Sequence, residues 1–462
     1  MPFSMNKNNR SFDKNNSNHP RNIHNAESKA EQPEKRLPLF DCLEHTHIPH
    51  LLQLWRNDRS AENGTINLSA TECEQLGTSL IQLQRGLTGS RALAGTTYMQ
   101  SPSLLGAYLL YYWPISYAQI RFALCSVQEH LISLAGRKNT PIRILDLGSG
   151  PAPASAAICD AIFSVCKRNA SLEVLAVDVS ASALQIASSL FKKSFPEVHI
   201  KTECSAITSE DYIQQKAKND FFDIIVLSHA LNEMWYNQSD ALQRRIAFLQ
   251  KVSAQLSPNG ILLLCEPALL QTSRDLLRIR DSLCSSGFRV IAPCPQSNPC
   301  PALHAGEQHT CHADCAWRPP KLVASLANVA GLERKSVKMT YLVLQKHCMT
   351  NTNPDGLQEK PCLLPHERHM HFRVVSEAMR NKAGRVRYLL CNGKQRIALS
   401  AKNGDAHAKT QGFFSLRRYD GIYIKNPSLR GDENKPSYGV EDYTELQTEP
   451  FIPAMPGGIY SW

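Results

Sequence analysis

An α/β fold built round a doubly wound parallel sheet is what this 462-residue chain predicts, and three observations carry that reading. From Pro141 onward, short β-branched runs alternate with helix-like segments, the pattern of strands buried on both faces. The first run ends in a turn with two glycines, and the next ends in an acid, Asp178. One cysteine- and proline-rich stretch then breaks the alternation before hairpin signals take over. The length allows two or three domains with an ample buried core.

Residues 1–36 are rich in Asn, Lys, Arg and Ser and nearly without large apolar residues, so a disordered tail is expected there. Asp13, Glu27, Glu31 and Glu34 are acidic where organelle transit peptides are acid-poor. A bacterial-type cytoplasm is therefore the expected compartment, with the mitochondrial matrix as the alternative. Residues 37–137 read as helical: Ser69 and Glu72 have capping-box spacing, and Leu76, Leu80, Leu83 and Leu87 follow on one face. The longest apolar stretch, Leu104 to Ile120, is broken by Trp113-Pro114, and no run reaches the roughly 18 residues of a membrane span. Fifteen cysteines without an apolar leader fit a reducing compartment, and no membrane partner is expected.

Residues 138–346 form the predicted sheet domain. Arg143–Leu147, Leu172–Val177, Asp223–Leu227 and Gly260–Cys265 read as its buried strands, with Gly287–Ala292 and Thr340–Leu344 as two more. A cysteine-rich insertion, 293–320, falls between those last two at the far edge of the sheet. A polar linker after Lys346 leads to a small β module, OB-like, over 371–432. Its runs Arg385–Cys391 and Gln395–Ala401 are bounded by Asn392-Gly393 and Asn403-Gly404, which signal hairpins. Residues 433–462, with four prolines and no period, are expected to be a tail.

Asp146-Leu147-Gly148-Ser149-Gly150 follows the first strand and opens an Ala-rich helix, where a Rossmann-like domain brings its backbone against a cofactor. Asp178 ends the next strand, placed to accept ribose hydroxyls, and Ser180 fits the N-cap of the helix beyond. Ser228 to Glu233 sit at the carboxyl end of a third strand, where open sheets bind ligands. These positions fit S-adenosylmethionine (SAM), with Asp146, Gly148, Gly150, Asp178 and Ser228 as candidate contacts. The plain alternative is that the glycines only make a tight turn and Asp178 only caps a helix. Ala152 and Pro153 stand where a third glycine often does, adding bulk and stiffness to the loop. No amino-methylating motif or pyrimidine-methylating cysteine is present, so His229 and Glu233 are the remaining candidates for a base and its orienting acid.

Five residues separate Cys294 from Cys300 and ten separate Cys300 from Cys311, in a loop stiffened by Pro293, Pro295, Pro299 and Pro301. Three thiols without paired knuckles suit a zinc ribbon poorly and an iron-sulfur cluster better. A fourth ligand is needed, from Cys315, His312 or the distant Cys391. The bland reading makes all of these buried small hydrophobes, as Cys265 and most other cysteines of the chain are expected to be. The formal net charge of +10 favours a polyanionic partner such as RNA.

Asp146 to Pro151, Glu266-Pro267, Cys294-Pro295 to Cys300-Pro301, and Cys311-His312-Ala313-Asp314-Cys315-Ala316-Trp317 occur in that order. In this the chain resembles the methyltransferase-like small-ribosomal-subunit assembly family, known from mitochondrial ribosomes and present in bacteria. The likeness spans Leu83 to Asp432, from Tyr111-Tyr112-Trp113-Pro114 to Arg417-Arg418-Tyr419-Asp420. It implies a [4Fe-4S] site at Cys294, Cys300, Cys311 and Cys391 that ties the β module to a methyltransferase-like core. It also implies binding to 16S-type rRNA during assembly of the small subunit, by a protein that is a monomer away from the ribosome. An active SAM-dependent rRNA methyltransferase is the alternative function, and a zinc-stabilised small-molecule methyltransferase a further one.

Overall fold

The computed structural model describes residues 40–56, 67–94, 98–137, 140–166, 169–209, 221–332, 335–346, 370–430 and 437–451. The tail expected over 1–36 and most of the linker after Lys346 lie outside these residues.

The N-terminal region is helical: α1 (Ile48–Arg56), α2 (Ala70–Gln84), α3 (Pro102–Ala107), α4 (Trp113–Cys125) and α5 (Gln128–Ala135). At the start of α2 the Ser69 side chain accepts from Glu72 N while Glu72 accepts from Ser69 N, the capping box read from the sequence. Between α3 and α4 the chain widens into a π-helical stretch, Tyr108–Tyr112, which stacks Tyr108 on Tyr112 at 6.1 Å.

The sheet domain follows as β1 (Ile142–Leu147), α6 (Pro153–Cys166), β2 (Leu172–Asp178), α7 (Ala181–Ser194), β3 (His199–Cys204), β4 (Phe222–Ser228), β5 (Leu256–Pro267), β6 (Phe288–Ala292), β7 (Ala313–Ala316) and β8 (Ser336–Lys346). The strand order is β3-β2-β1-β4-β5-β8-β6. β1 to β5 run parallel, and β8 lies antiparallel between β5 and β6. Alternate residues feed opposite faces: Ile144, Val174, Val226 and Leu263 pack with α4, α6 and α7, while Leu145, Val177, Ile225 and Leu262 pack under the helices Ala241–Val252 and Leu270–Ser285. Truncating one such side chain to Ala costs about 2–5 kcal/mol.

β6 and β7 both pair with the edge of β8 that faces away from β5. The cysteine-proline loop therefore bulges out of a single interrupted strand lane, with Cys294 two residues past β6 and Cys311 two residues before β7.

The C-terminal module is a second sheet: β9 (Met370–Val374), β10 (Met379–Arg380), β11 (Arg385–Cys391), β12 (Arg396–Lys402), β13 (Gly421–Lys425), β14 (Ser428–Leu429), β15 (Ser437–Gly439) and β16 (Glu445–Glu449). Its order is β14-β15-β12-β11-β9-β13-β16, with β10 on β11. Residues 437–451, expected as tail, thus belong to the module, because β15 pairs with β12 and β16 with β13. Polar composition had concealed the edge strand β16 and, beside the β14 edge, β15.

Candidate functional site

The turn after β1 is held in the left-handed region at Gly148 (φ 69), Gly150 (φ 53) and Ala152 (φ 56). Glycine carries that conformation without strain, but Ala152 does not. It is fixed there by full burial and by its N–H donating to Ser149 O at 2.9 Å. A Cβ at Gly148 would lie 2.5 Å from Ala230 Cβ, so only glycine allows this turn to approach the loop after β4. Trp113 donates to Pro151 O at 2.9 Å and braces the turn from the helical region.

Asp178 closes the turn from the other side. Its carboxylate accepts from Gly150 N and from Ser180 N, both at 2.8 Å. Ser180 caps α7, accepting from Ala183 N. Burial raises the Asp178 carboxyl above its usual range, and these backbone donors pull it partly back.

A cavity of about 650 Å³ opens beside the turn, and Gly148, Gly150, Asp178, Ser228, His229 and Glu233 all line it. The helical region roofs it with Tyr98, Met99, Tyr108 and Tyr112. Asp146 is not on its wall. The Asp146 carboxylate turns under α6 instead, where one oxygen accepts from Ser155 N and Ser155 Oγ. Its other oxygen is buried without a hydrogen-bond partner, and burial pushes the group up to about 7. The expectation that Asp146 faces a ligand misjudged the direction of the last inward residue of β1.

His229 (φ 58) begins the loop after β4. Its Nε2 lies 2.6 Å from Gln119 Oε1, and the Gln119 amide donates to Lys338 O at 2.9 Å. Gln119 therefore presents an acceptor, and His229 must carry its proton on Nε2. Burial lowers this imidazole to about 4, so it is neutral at pH 7. Two arginines clamp the loop: Arg91 donates to Asn232 Oδ1 at 2.6 Å, and Arg245 donates to the carbonyls of Asn232 and Met234. Trp235 (φ 53) and Asn237 (φ 63) add further left-handed strain within this clamp. Sequence reasoning missed Gln119 and the three tyrosines, since no spacing rule links α4 to a loop more than a hundred residues away.

The second candidate site lies at the seam between the two sheets. Arg280, 1% exposed, donates to Gln296 O and Asn298 O at 2.7 Å each. Asp281 accepts from Cys300 N. Together they fold the cysteine-proline loop onto the helix Leu270–Ser285. Cys311 Sγ lies 3.3 Å from Tyr419 Oη of the β module. The turn after β11 meets the loop directly, since a Cβ on Gly393 would crowd Gln296, and Arg396 donates to Thr310 O at 2.8 Å.

Burial raises Cys294, lifts Cys300 to about 12 and lifts Cys391 to about 11. For Cys300 the Cys311 and Cys294 thiols add to this, whereas the Arg280 guanidinium pulls Cys294 back down and the Gly393 N–H pulls Cys391 back down, each ahead of a smaller upward push from Cys311. Cys294, Cys300 and Cys311 belong to the cysteine-proline loop, and Cys391 ends β11 two residues before the Gly393 turn that meets this loop. Cys315 points elsewhere, buried in the sheet core, where burial and then Cys125 raise it. His312, lowered to about 4 by burial and Arg418, shares no influence with the four thiols. Among the described residues, no three His, Cys, Asp or Glu side chains stand close enough together to hold a metal ion. The thiols are neighbours, not an assembled ligand shell.

A family model described as mitochondrial small ribosomal subunit Rsm22 matches residues 103–409. No curated protein matches the chain. Among solved structures, the plantazolicin methyltransferase in complex with SAH is similar at 12% identity, with 60% of this chain and 98% of that one covered and a TM-score of 0.29. An S-adenosylmethionine-dependent methyltransferase from Clostridium acetobutylicum is similar at 12% identity over 48% of this chain and 92% of that one, TM-score 0.28. A methyltransferase from Pyrococcus furiosus is similar at 13% identity over 48% and 83%, TM-score 0.28.

Proposed function

This chain belongs to the Rsm22 family of the mitochondrial small ribosomal subunit, and from that premise we propose that it is a small-subunit assembly or translation factor that binds small-subunit rRNA. The observation that supports this reading is the seam, where the cysteine-proline loop of the sheet domain meets the turn after β11 through Gly393 against Gln296, Arg396 on Thr310 O and Cys311 beside Tyr419. A protein built to hold two modules in fixed register suits binding and scaffolding more directly than turnover.

Four soft thiol donors, buried at Cys300 and half-buried at Cys294, Cys311 and Cys391, suit a [4Fe-4S] cluster by their chemistry, and they would also accept zinc. The group, when bound, supplies a cross-link between the β module and the core. SAM is proposed for the cavity, where Asp178 would receive the ribose hydroxyls and the glycine turn would pass close to the ligand. Bound SAM supplies an electrophilic methyl group. His229 holds a proton on Nε2, committed to Gln119, so it orders the loop and does not serve as a base at that nitrogen. The family description names the mitochondrion; small subunits are found in the matrix and in a bacterial-type cytoplasm, and fractionation decides between them. Among the described residues no helix is long and apolar enough to cross a membrane.

The test is co-sedimentation with small-subunit precursors before and after Asp178→Ala. Retention with the variant is expected, and its loss would sink the scaffold reading. The cavity and its acid favour a second reading, an active rRNA methyltransferase. That reading requires tritium transfer from labelled SAM to purified small-subunit rRNA, abolished by the same change. Iron and zinc analysis of anaerobically purified protein separates the cluster from zinc.

A further inference from the structure

The β module is electrically lopsided. From Ala378 to Gly404 the chain holds seven Lys or Arg and no Asp or Glu. This stretch is β10, β11, β12 and their turns, whereas β16, at the far side of the sheet, carries Glu445 and Glu449. Arg380, Lys382, Arg387 and Lys402 are exposed and enter no ion pair among the described residues; Lys425–Glu445 lies at the far side of the sheet, while the Arg430–Glu441 pair and Asp405 act on Arg385.

The strand register gathers these cations at one end. Arg385 stands directly opposite Lys402, Arg387 opposite Met379 and Ser400, and Asn403 N donates to Gly384 O, closing the two turns on each other. Like charges facing each other across a ladder weaken it, and a carboxylate at either position would relieve that. Cys391 and the Gly393 turn, which dock on the core, lie at the opposite end of β11. At a rise of about 3.3 Å per residue the two ends are roughly 20 Å apart. One end of the sheet is fixed to the core, and the other presents Arg380, Lys382, Arg387 and Lys402 outside any ion pair among the described residues.

We infer that the Arg380–Lys402 end of the module is the surface that grips RNA, through its phosphate backbone. This rests on the rRNA-binding reading above and assigns it a place. Guanidinium forks and ammonium groups match phosphate oxygens. No aromatic side chain alternates with the outward cations of β11 and β12 (Arg385, Arg387, Lys402), so base stacking is not part of this contact. Recognition at this end is electrostatic, tolerant of sequence and sensitive to salt.

The experiment measures binding of purified, protein-free small-subunit rRNA across a salt series. It compares the full chain with R380Q/K382Q/R387Q/K402Q and with a control carrying K192Q/K201Q/K251Q/K321Q on the sheet domain. Four lost phosphate contacts should make the log–log salt slope shallower by about 3, at roughly 0.7–0.9 per contact, while the control keeps its slope. An unchanged slope in the first variant, or an equal change in the control, overturns the assignment while leaving rRNA binding intact. Wild-type protein that does not bind rRNA overturns the functional reading itself. Polyglutamate that competes as well as RNA at equal charge points to an acidic protein surface and also overturns the inference. Unchanged circular dichroism and melting confirm that the exposed substitutions leave the fold in place.

Discussion

Gly393 and Gln296 are pressed together across the seam: a Cβ added at Gly393 would lie 2.8 Å from the Gln296 Cβ and 3.0 Å from its backbone N. Gly393 also sits at φ 88, which an alanine adopts only with strain. Gly393→Ala should cost about 1–3 kcal/mol and loosen the module, read as faster proteolysis of the β module and a lower urea midpoint. Gly404→Ala, at φ 79 in open space, isolates the strain from the clash. Equal effects of the two changes would show that the contact with Gln296 is unimportant.

Cys391 and Cys315 differ sharply in their surroundings. Cys391 shares the seam with Cys294 and Cys311, whereas Cys315 answers to Cys125 and Cys265 in the core. After anaerobic reconstitution, Cys391→Ala should lose most of its iron and acid-labile sulfide, and Cys315→Ala should keep both. The reverse pattern would move the fourth ligand to Cys315.

Asp178 accepts two backbone N–H groups that an amide can satisfy only in part. Asp178→Asn should weaken SAM binding about 10–100-fold, the worth of a charge-assisted hydrogen bond. Calorimetric titration checks this, and an unchanged dissociation constant would remove Asp178 from the cofactor site.

Glu266 is 2% exposed, and neither carboxyl oxygen has a partner of good geometry. Burial pushes it up to about 8. Between the unfolded value near 4.5 and this folded value, the native state keeps a proton that the unfolded chain releases. Stability therefore falls as pH rises through that window, by up to about 1.4 kcal/mol per pH unit for one such group. Glu266→Gln should flatten this slope, leaving stability near wild type at pH 5 and raising it at pH 9. Urea unfolding at the two pH values tests it, and parallel curves for the two proteins would contradict the assignment.

The elements legible in the sequence are those with local causes. β11 could be bounded at Arg385 and Cys391 because an alternating run meets an Asn-Gly turn, and α2 because Ser69 and Glu72 cap each other. β3 was missed because His199–Cys204 is polar and half exposed, and β7 because four residues among cysteines carry no period. β15 and β16 are set by partners in β12 and β13, which no local pattern announces. Within the site, Gly148, Gly150 and Asp178 followed from their places at strand ends. Asp146 did not, because the direction of its side chain is decided by Ser155 on the helix above. The approach of the turn after Cys391 to the cysteine-proline loop depends on how the module docks, which spacing alone does not encode.

The interrupted lane along β8 has a mechanical consequence. Cys294 and Cys311 hang from the two halves of one strand position, so both inherit the stiffness of an eight-stranded sheet. Cys391 hangs from a hairpin that belongs to the other module. Any pull that parts the two modules must therefore act on the Cys391 side, as a buckle opens at its tongue while its frame stays sewn to the strap.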